Sequence, residues 1–257
     1  MRIRQVPAVK KASDILFFLA GAKGPVALSE IARELGLIPS SCLHILRELA
    51  LTGLVEFHAN TKRYEIGIGV VALARRHAQK DVFTALAQPH LEHLAATHRL
   101  RFVASKSDGN DAVVVLAGAS AATNDVYLDT PVGFRVELFA GATGRCAAAF
   151  GGFSQEELRQ RFKFIRWQTR PKLKDWLASL EETKRRGWAI DAGIYRRGIT
   201  SIACPIFDNA PDARHFINVV ALTPEVSDDR AILIATSLAD AAQQISKRLL
   251  ELETAPA

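Results

Sequence analysis

Cysteine is scarce in this chain. Cys42, Cys146 and Cys204 are the only three in 257 residues, and no two stand at a metal-ligand or redox-motif spacing. That argues against a disulfide framework and suits a reducing compartment. Long apolar runs are missing as well. None approaches the roughly 20 residues of a membrane-spanning helix, and the opening MRIRQVPAVKKASD lacks the apolar core of a signal peptide. There is no Walker-type loop, nucleophile elbow or paired acidic motif, and GATGR at 141–145 is no dinucleotide fingerprint. These absences weaken the idea that Cys146 or Cys204 is a nucleophile activated by a histidine. Both thiols are expected as small buried apolar groups. We expect a soluble cytoplasmic protein that is not an enzyme and uses no cofactor.

What is present is an ordinary globular composition, 49% hydrophobic and 23% charged, in a length that suits about two domains. Charge separates those domains. Residues 1–80 hold 12 Lys and Arg against 6 Asp and Glu, an excess equal to the formal +6 of the whole chain; residues 81–257 balance at 21 of each. A small basic domain joined to a larger neutral one points to an acidic polymer as the partner of the basic part. We place the domains at 1–80 and 81–257.

VKKASDILFFLA at 9–20 sets Val9, Ala12, Ile15, Leu16 and Leu19 on one helical face, ended by Gly21 and Gly24-Pro25. Ser29 is placed to cap a second helix, with Glu30 in its first turn. Ile31 and Leu35 face inward there, and Gly36 ends it. A third helix begins near Pro39-Ser40. Leu43, Leu46, Leu49 and Ala50 form its buried stripe, with Ile45 beside it. Ser40, Ser41, His44 and Arg47, at spacings 0, 1, 4 and 7, take the solvent side. After Gly53, LVEFHANTKRYEIG reads as two alternating strands around a turn at 59–62. Val55 and Phe57, then Tyr64 and Ile66, lie along the strands, and Lys62 and Arg63 sit at or beside the tip. Helix, helix, turn, helix, hairpin is a helix-turn-helix with a wing, and its third helix is of a size that enters the major groove of B-DNA. We assign Ser40, Ser41, His44 and Arg47 to phosphates and base edges, and Lys62 and Arg63 to backbone or minor groove. The expected partner is double-stranded operator DNA.

PAVKKASDILFFLA, LSEIARELGLIPSSCLHILRELALTGLVEF and RYEIGIGVVALA resemble the amino-terminal winged-helix domain of IclR-type bacterial transcription regulators. FAGATGRCAAA at 139–149 resembles that family's run of small residues leading into a helix. GWAIDAGIYRRGITSIACPIFD at 187–208 resembles its strand, loop and strand before the last hairpin. Together these segments span nearly the whole chain in order. The resemblance implies a GAF-like domain that binds a small-molecule effector, often an organic acid, aromatic and keto acids among them, and assembly into a homodimer or tetramer. There are departures. The family often has Ser-Thr early in the third helix and an Arg a little later. Here Cys42 follows Ser41 and His44 stands in place of that Arg, which implies a different operator.

Beyond the wing, 68–79 and 82–97 read as helices, the second with Leu86, Pro89 and Leu94 near one face and Pro89 as a point of kinking or breaking. His90, His93 and His98 lie on it. No carboxylate-cysteine cluster completes a metal site, so a solvated face is expected and no metal. RFVASKSD, DAVVVLAG and NDVYLDT then read as strands in close succession, and 141–150 reads as a helix. Two more helices fall between 154 and 186; WAID, ITSIACPIF and RHFINVVALT are further strands. The stretch 227–251 is a long amphipathic helix with Ile234, Leu238, Ala241, Ile245 and Leu249 on one side. The fold class is α+β: a winged helix-turn-helix joined by a linker helix to an antiparallel-sheet domain.

Gly141, Ala142, Thr143, Gly144 and Arg145 are the first effector-site candidates. Small residues leave backbone N–H groups open at a helix N-terminus, where the dipole favours an anion such as a carboxylate. Close packing of helix on sheet is the other reason for glycine there, and Arg145 is equally placed to face ligand or solvent. By resemblance, Asp191, Ile194, Ser201 and Cys204 form the other side of the pocket. The family often shows acidic residues after the position of Asp191. Gly193 and Ile194 stand here instead, which implies a more apolar pocket or a lost ligand. The expected function is a ligand-responsive, sequence-specific DNA-binding transcription regulator. The alternative is a DNA-binding oligomer whose second domain only assembles subunits.

Overall fold

The computed structural model describes residues 6–78, 81–121, 128 and 130–254. The chain divides into two compact units, Met1–Lys80 and Asp81–Ala257. Among the described residues no helix is long and apolar enough to cross a membrane.

In the first unit α1 (Pro7–Gly21), β1 (Val26–Ala27), α2 (Leu28–Glu34), α3 (Pro39–Leu51), β2 (Val55–His58), β3 (Arg63–Ile66) and α4 (Ile68–Ala78) follow in order. The helices form where apolar residues recur every third or fourth position. They meet over one core built from Ile15 and Leu19 of α1, Ile31 of α2, and Cys42, Leu46 and Leu49 of α3, closed by Val26, Val55 and Tyr64 of the strands. The hairpin pairs Val55 with Ile66 and Phe57 with Tyr64. β1 has only two residues and shows itself through pairing alone, Val26 standing opposite Tyr64. It completes a three-stranded sheet in the order β1-β3-β2.

Two expectations for this unit are corrected, and the place of Cys42 is settled. Val9 lies 67% exposed, because the face that carries Ile15 and Leu19 turns away from it. Ser29 is no cap: α2 begins one residue before it, with Ala27 in the capping position and no side-chain bond there. Cys42 is fully buried. It stands four and seven residues before Leu46 and Leu49 and shares their inward face, so it is packing and takes no part in any solvent face.

The second unit holds α5 (Val82–His98), β4 (Phe102–Ser107), β5 (Ala112–Ala119), β6 (Arg135–Glu137), α6 (Gly141–Phe150), α7 (Gln155–Phe162), α8 (Leu173–Arg186), β7 (Ala189–Ala192), β8 (Ile199–Ile206), β9 (His215–Leu222) and α9 (Asp228–Thr254). Six antiparallel strands run in the order β6-β5-β4-β9-β8-β7. The two-residue period of a strand splits them between two cores. Ile202, Cys204 and Ile206 of β8 and Ile217 and Val219 of β9 pack with Phe83 and Leu91 of α5 and Ile234, Leu238 and Ile245 of α9. Ala203 and Phe216 pack on the other face with Cys146 of α6 and Trp176 and Leu180 of α8. On β5 the register slips between Ala104 and Ser105 of its partner. After the slip β5 changes faces: Val113 belongs to the α6 side, Ala117 and Ala119 to the α5 side.

Two details of α5 differ from expectation. Pro89 sits inside the continuous helix on its exposed side; the buried face is Phe83, Ala87, Leu91 and Leu94. His98 is buried beside Phe102 rather than solvated, and its carbonyl accepts from Arg230 of α9 at 2.7 Å. β6 was not anticipated. The strand expected at NDVYLDT falls, apart from Leu128 and Thr130, outside the described residues.

Candidate functional site

α3 starts abruptly. Ile38 in the capping position is extended and carries no side-chain acceptor, and Pro39 occupies the first turn. The first N–H to find an intrahelical carbonyl is that of Cys42, on Ile38. The N–H groups of Ser40 and Ser41 therefore face outward at the positive end of the helix. Ser40, His44 and Arg47 are exposed and Ser41 is half-buried, so the face read from the sequence exists as one surface. The two wing cations divide. Lys62 lies in the turn in a left-handed conformation, its N–H bonded to His58 O at 2.7 Å. Arg63 reaches back to donate to Pro25 O at 3.0 Å, bracing the wing against the loop before β1. Glu56 stands directly opposite Glu65, and His58 meets Glu65 at 2.6 Å. The wing thus bears carboxylates on its strands as well as a cation at its turn.

In the second unit, the end of the sheet beneath α6 borders a partly open cavity of about 430 Å³. Its walls are largely apolar, with Val103, Val113, Val115, Val136, Ile199 and Val220 among them. Of the nine residues expected to bind an effector, Gly141, Ala142, Thr143 and Ser201 line it. The Ala142 N–H donates to Ser201 Oγ at 3.1 Å. The N–H groups of Gly141 and Thr143 have no acceptor among the described residues. Gly141 has a φ of +61°, which a residue with a side chain rarely adopts.

The other five do not line the cavity. A Cβ on Gly144 would fall 2.1 Å from the carbonyl carbon of Phe139, so this glycine is required for close packing. Arg145 faces neither ligand nor solvent. It is buried, donates to the carbonyl of Ile190 and pairs with Asp191 at 3.0 Å. Burial lowers its pKa and Asp191 opposes that change. Asp191 in turn accepts the N–H groups of Ile194 and Tyr195 at 3.0 and 3.1 Å, so it shapes the loop. Ile194 is held there through its backbone. Cys204 points to the α5 side, because it differs from Ser201 by an odd number of strand positions. Burial pushes its thiol up to about 12, and the buried Cys146 thiol is raised well above the ordinary range for the same reason. Neither forms the thiolate a nucleophile needs.

Sequence reasoning missed several lining residues. Arg135, Arg166 and Arg196 stand around the cavity together with Glu137. Arg135 bonds Asp108 at 2.6 Å, and Arg166 is paired with Glu137. Tyr195 lines it from the loop that Asp191 holds. Ser105 and Asn218 lie on the floor. Asn218 had an available signal, as a lone polar residue in the apolar run FINVVAL; Ser105, followed at once by Lys106 and Ser107, had none.

Comparison with known proteins accounts for both units. The profile of the IclR helix-turn-helix domain matches residues 8–59, and that of the bacterial transcriptional regulator IclR C-terminal domain matches residues 74–247. The chain is 27% identical to the HTH-type transcriptional regulator BhcR of Paracoccus denitrificans over 250 residues, 94% of this chain and 86% of that protein. An IclR transcriptional regulator from Alicyclobacillus acidocaldarius superposes with a TM-score of 0.82 at 24% identity, covering 95% of this chain and 99% of that one. An IclR homolog from Microbacterium hydrocarbonoxydans, solved in complex with 4-hydroxybenzoate, gives 0.77 at 18% identity, covering 94% and 98%. The matched domains are those of transcription regulators, not of enzymes.

Proposed function

Because the chain belongs to the IclR family of bacterial transcriptional regulators, we propose that it switches a promoter in response to a small organic acid, aromatic or keto, bound in its second unit. A regulator of bacterial operators acts in the cytoplasm, where we put it. The observation that carries the DNA half is the open face of α3. Ser40, Ser41, His44 and Arg47 surround an uncapped helix N-terminus, which suits phosphate and base edges. Lys62 at the wing turn serves the DNA backbone, with Arg63 bracing it.

Two unpaired N–H groups, Gly141 and Thr143, support a carboxylate at the start of α6. Arg196 beside the cavity favours the same charge, Arg135 and Arg166 being paired with Asp108 and Glu137, and the apolar walls suit a carbon frame. A relative of the same fold was solved with an aromatic acid. α4 supports a homodimer or a pair of dimers. Ile68 and Leu73 lie 77% and 60% exposed on it, and a helix this apolar on its open side calls for cover by a second copy. Two recognition helices then read two half-sites. For the acid to act, it must bind two quaternary states with different affinity.

The test is fluorescence anisotropy with DNA from upstream of the protein's own gene, against a scrambled duplex at the same salt. Selective binding that weakens steeply with salt is the expected result. Equal affinity for every duplex tried would refute sequence-specific reading. A thermal melt with a panel of organic acids tests the effector half, since a ligand of the native state raises Tm. No shift with any acid would leave a second unit that only assembles subunits.

A further inference from the structure

The outward face of the wing gathers side chains that the DNA reading leaves without a task. Strand alternation sends Val55, Phe57, Tyr64 and Ile66 one way, toward the core, and Glu56, His58, Arg63 and Glu65 the other. On the outward face Glu56 stands directly opposite Glu65, and His58 opposite Arg63. His58 is thus a diagonal neighbour of Glu65, and its Nε2 meets Glu65 Oε1 at 2.6 Å. One ligand atom from each of Glu56, His58 and Glu65 lies within 4.8 Å of the other two. Among the described residues no other three His, Cys, Asp or Glu converge in this way. Positions 56, 58 and 65 follow no ligand spacing along the chain; the register of β2 on β3 brings them together.

Two carboxylates set opposite each other on an antiparallel pair repel. No side-chain cation offsets them. Arg63, on the same face, turns away to donate to Pro25 O at 3.0 Å. Among the described residues Glu56 has no hydrogen-bond or ion-pair partner, and Glu65 meets only His58. An imidazole nitrogen with two carboxylate oxygens is a donor set for a divalent first-row transition ion. Zinc holds such donors at about 2.0–2.2 Å, which sets its ligand atoms roughly 3–4 Å apart. Rotation of the exposed Glu56 side chain closes the remaining gap. Water completes the shell.

We propose that Glu56, His58 and Glu65 bind a divalent transition-metal ion such as Zn²⁺, and that the ion tightens the hold of the wing on DNA. Bare, this face of the wing brings two negative charges toward the phosphate backbone. The bound ion cancels both, so the repulsion is removed and the cation at the turn, Lys62, acts unopposed. The DNA half of this inference rests on the reading of the hairpin as a DNA-contacting wing. The metal half stands on the cluster alone.

Isothermal titration of Zn²⁺ into the chelator-stripped full-length protein tests the site. Glu56→Gln and His58→Gln should each weaken binding at least about tenfold, since losing even a group that hydrogen-bonds a ligand costs about 10–100-fold. His93→Gln, on α5, should change nothing. No Zn²⁺ binding by the unmodified protein overturns the proposal, and so does binding that stays intact in both wing variants. If His58→Gln is unfolded in its thermal melt, Glu56→Gln, at an exposed position, carries the test. Anisotropy with duplex DNA, in Zn²⁺ and in chelator, tests the coupling. The ion should tighten binding by the unmodified protein, while Glu56→Gln binds equally in both. Zn²⁺ bound at the wing with no change in DNA affinity overturns the coupling and keeps the site. No DNA binding in either condition refutes the wing reading itself, and the coupling with it.

Discussion

Both α3 and α6 begin without a side-chain cap. Ile38 and Ala140 occupy the capping positions in extended conformation, and neither offers an oxygen to the first N–H groups. What lies over the two helix ends differs. α3 opens on water, with exposed Ser40, His44 and Arg47 around it. α6 opens on a partly closed cleft, with Ala142, Gly144, Arg145 and Cys146 all buried behind its start. In water, such N–H groups exchange solvent for phosphate, and the attraction is screened by salt. In a lined cleft the same groups meet fewer waters than on an open surface, so a single small anion can satisfy them. The helix dipole is common to both; the surroundings decide whether it serves a polymer or a metabolite.

The largest effect that would sharpen this contrast comes from beneath α6. Arg145→Leu leaves the Asp191 carboxylate buried without its partner, and should destabilise the second unit by about 3–5 kcal/mol. Urea unfolding should show that transition moving while the first unit's stays put. A loss shared by both units would mean that they do not unfold separately. A smaller effect belongs to α3. Arg47→Ala should weaken operator binding by about 1–3 kcal/mol if it meets a base, with no change in the thermal shift produced by an organic acid. Unchanged affinity and specificity in the folded variant would remove Arg47 from the interface.

The smallest effect separates the units by pH. Burial pushes His98 and His215 below the ordinary histidine range. Arg230 and His93 add to this for His98; Lys106 adds to it for His215, while Asp208 and Asp81 oppose it. Between each lowered folded value and about 6.5 the unfolded chain binds more protons. The second unit should hold this contribution above pH about 6.5 and lose it as pH falls through the folded values. Denaturation on either side of that pH, with His98→Asn as control, checks it. A pH-independent second transition would contradict the burial argument.

The helix-turn-helix was legible because it is local. The 3.6-residue period of α3 put Leu46 and Leu49 on one side and His44 and Arg47 on the other, and the structure keeps that division. Cys42 belongs to the same buried stripe, so that departure from the family pattern does not lie on the solvent face. β1 was illegible: two residues have no period, and only Tyr64 across from Val26 makes them a strand. In the second unit the helices and most strands were found but not β6, while Arg145, Asp191 and Cys204, expected at the ligand, are packed away from the cavity lining. Asn218 could have been flagged as a polar break in an apolar run, but not placed.

By itself, the sequence determined two domains by their charge, a winged helix-turn-helix by its periodicity, an α+β partner by its alternation, and the family by ordered segments along the chain. These are properties of residues near one another in the chain, where helical and strand periods translate directly into faces. Only the tertiary structure decided which polar groups share the cavity. That choice depends on register between strands far apart in sequence, where a slip of one position sends a side chain to the opposite face of the sheet.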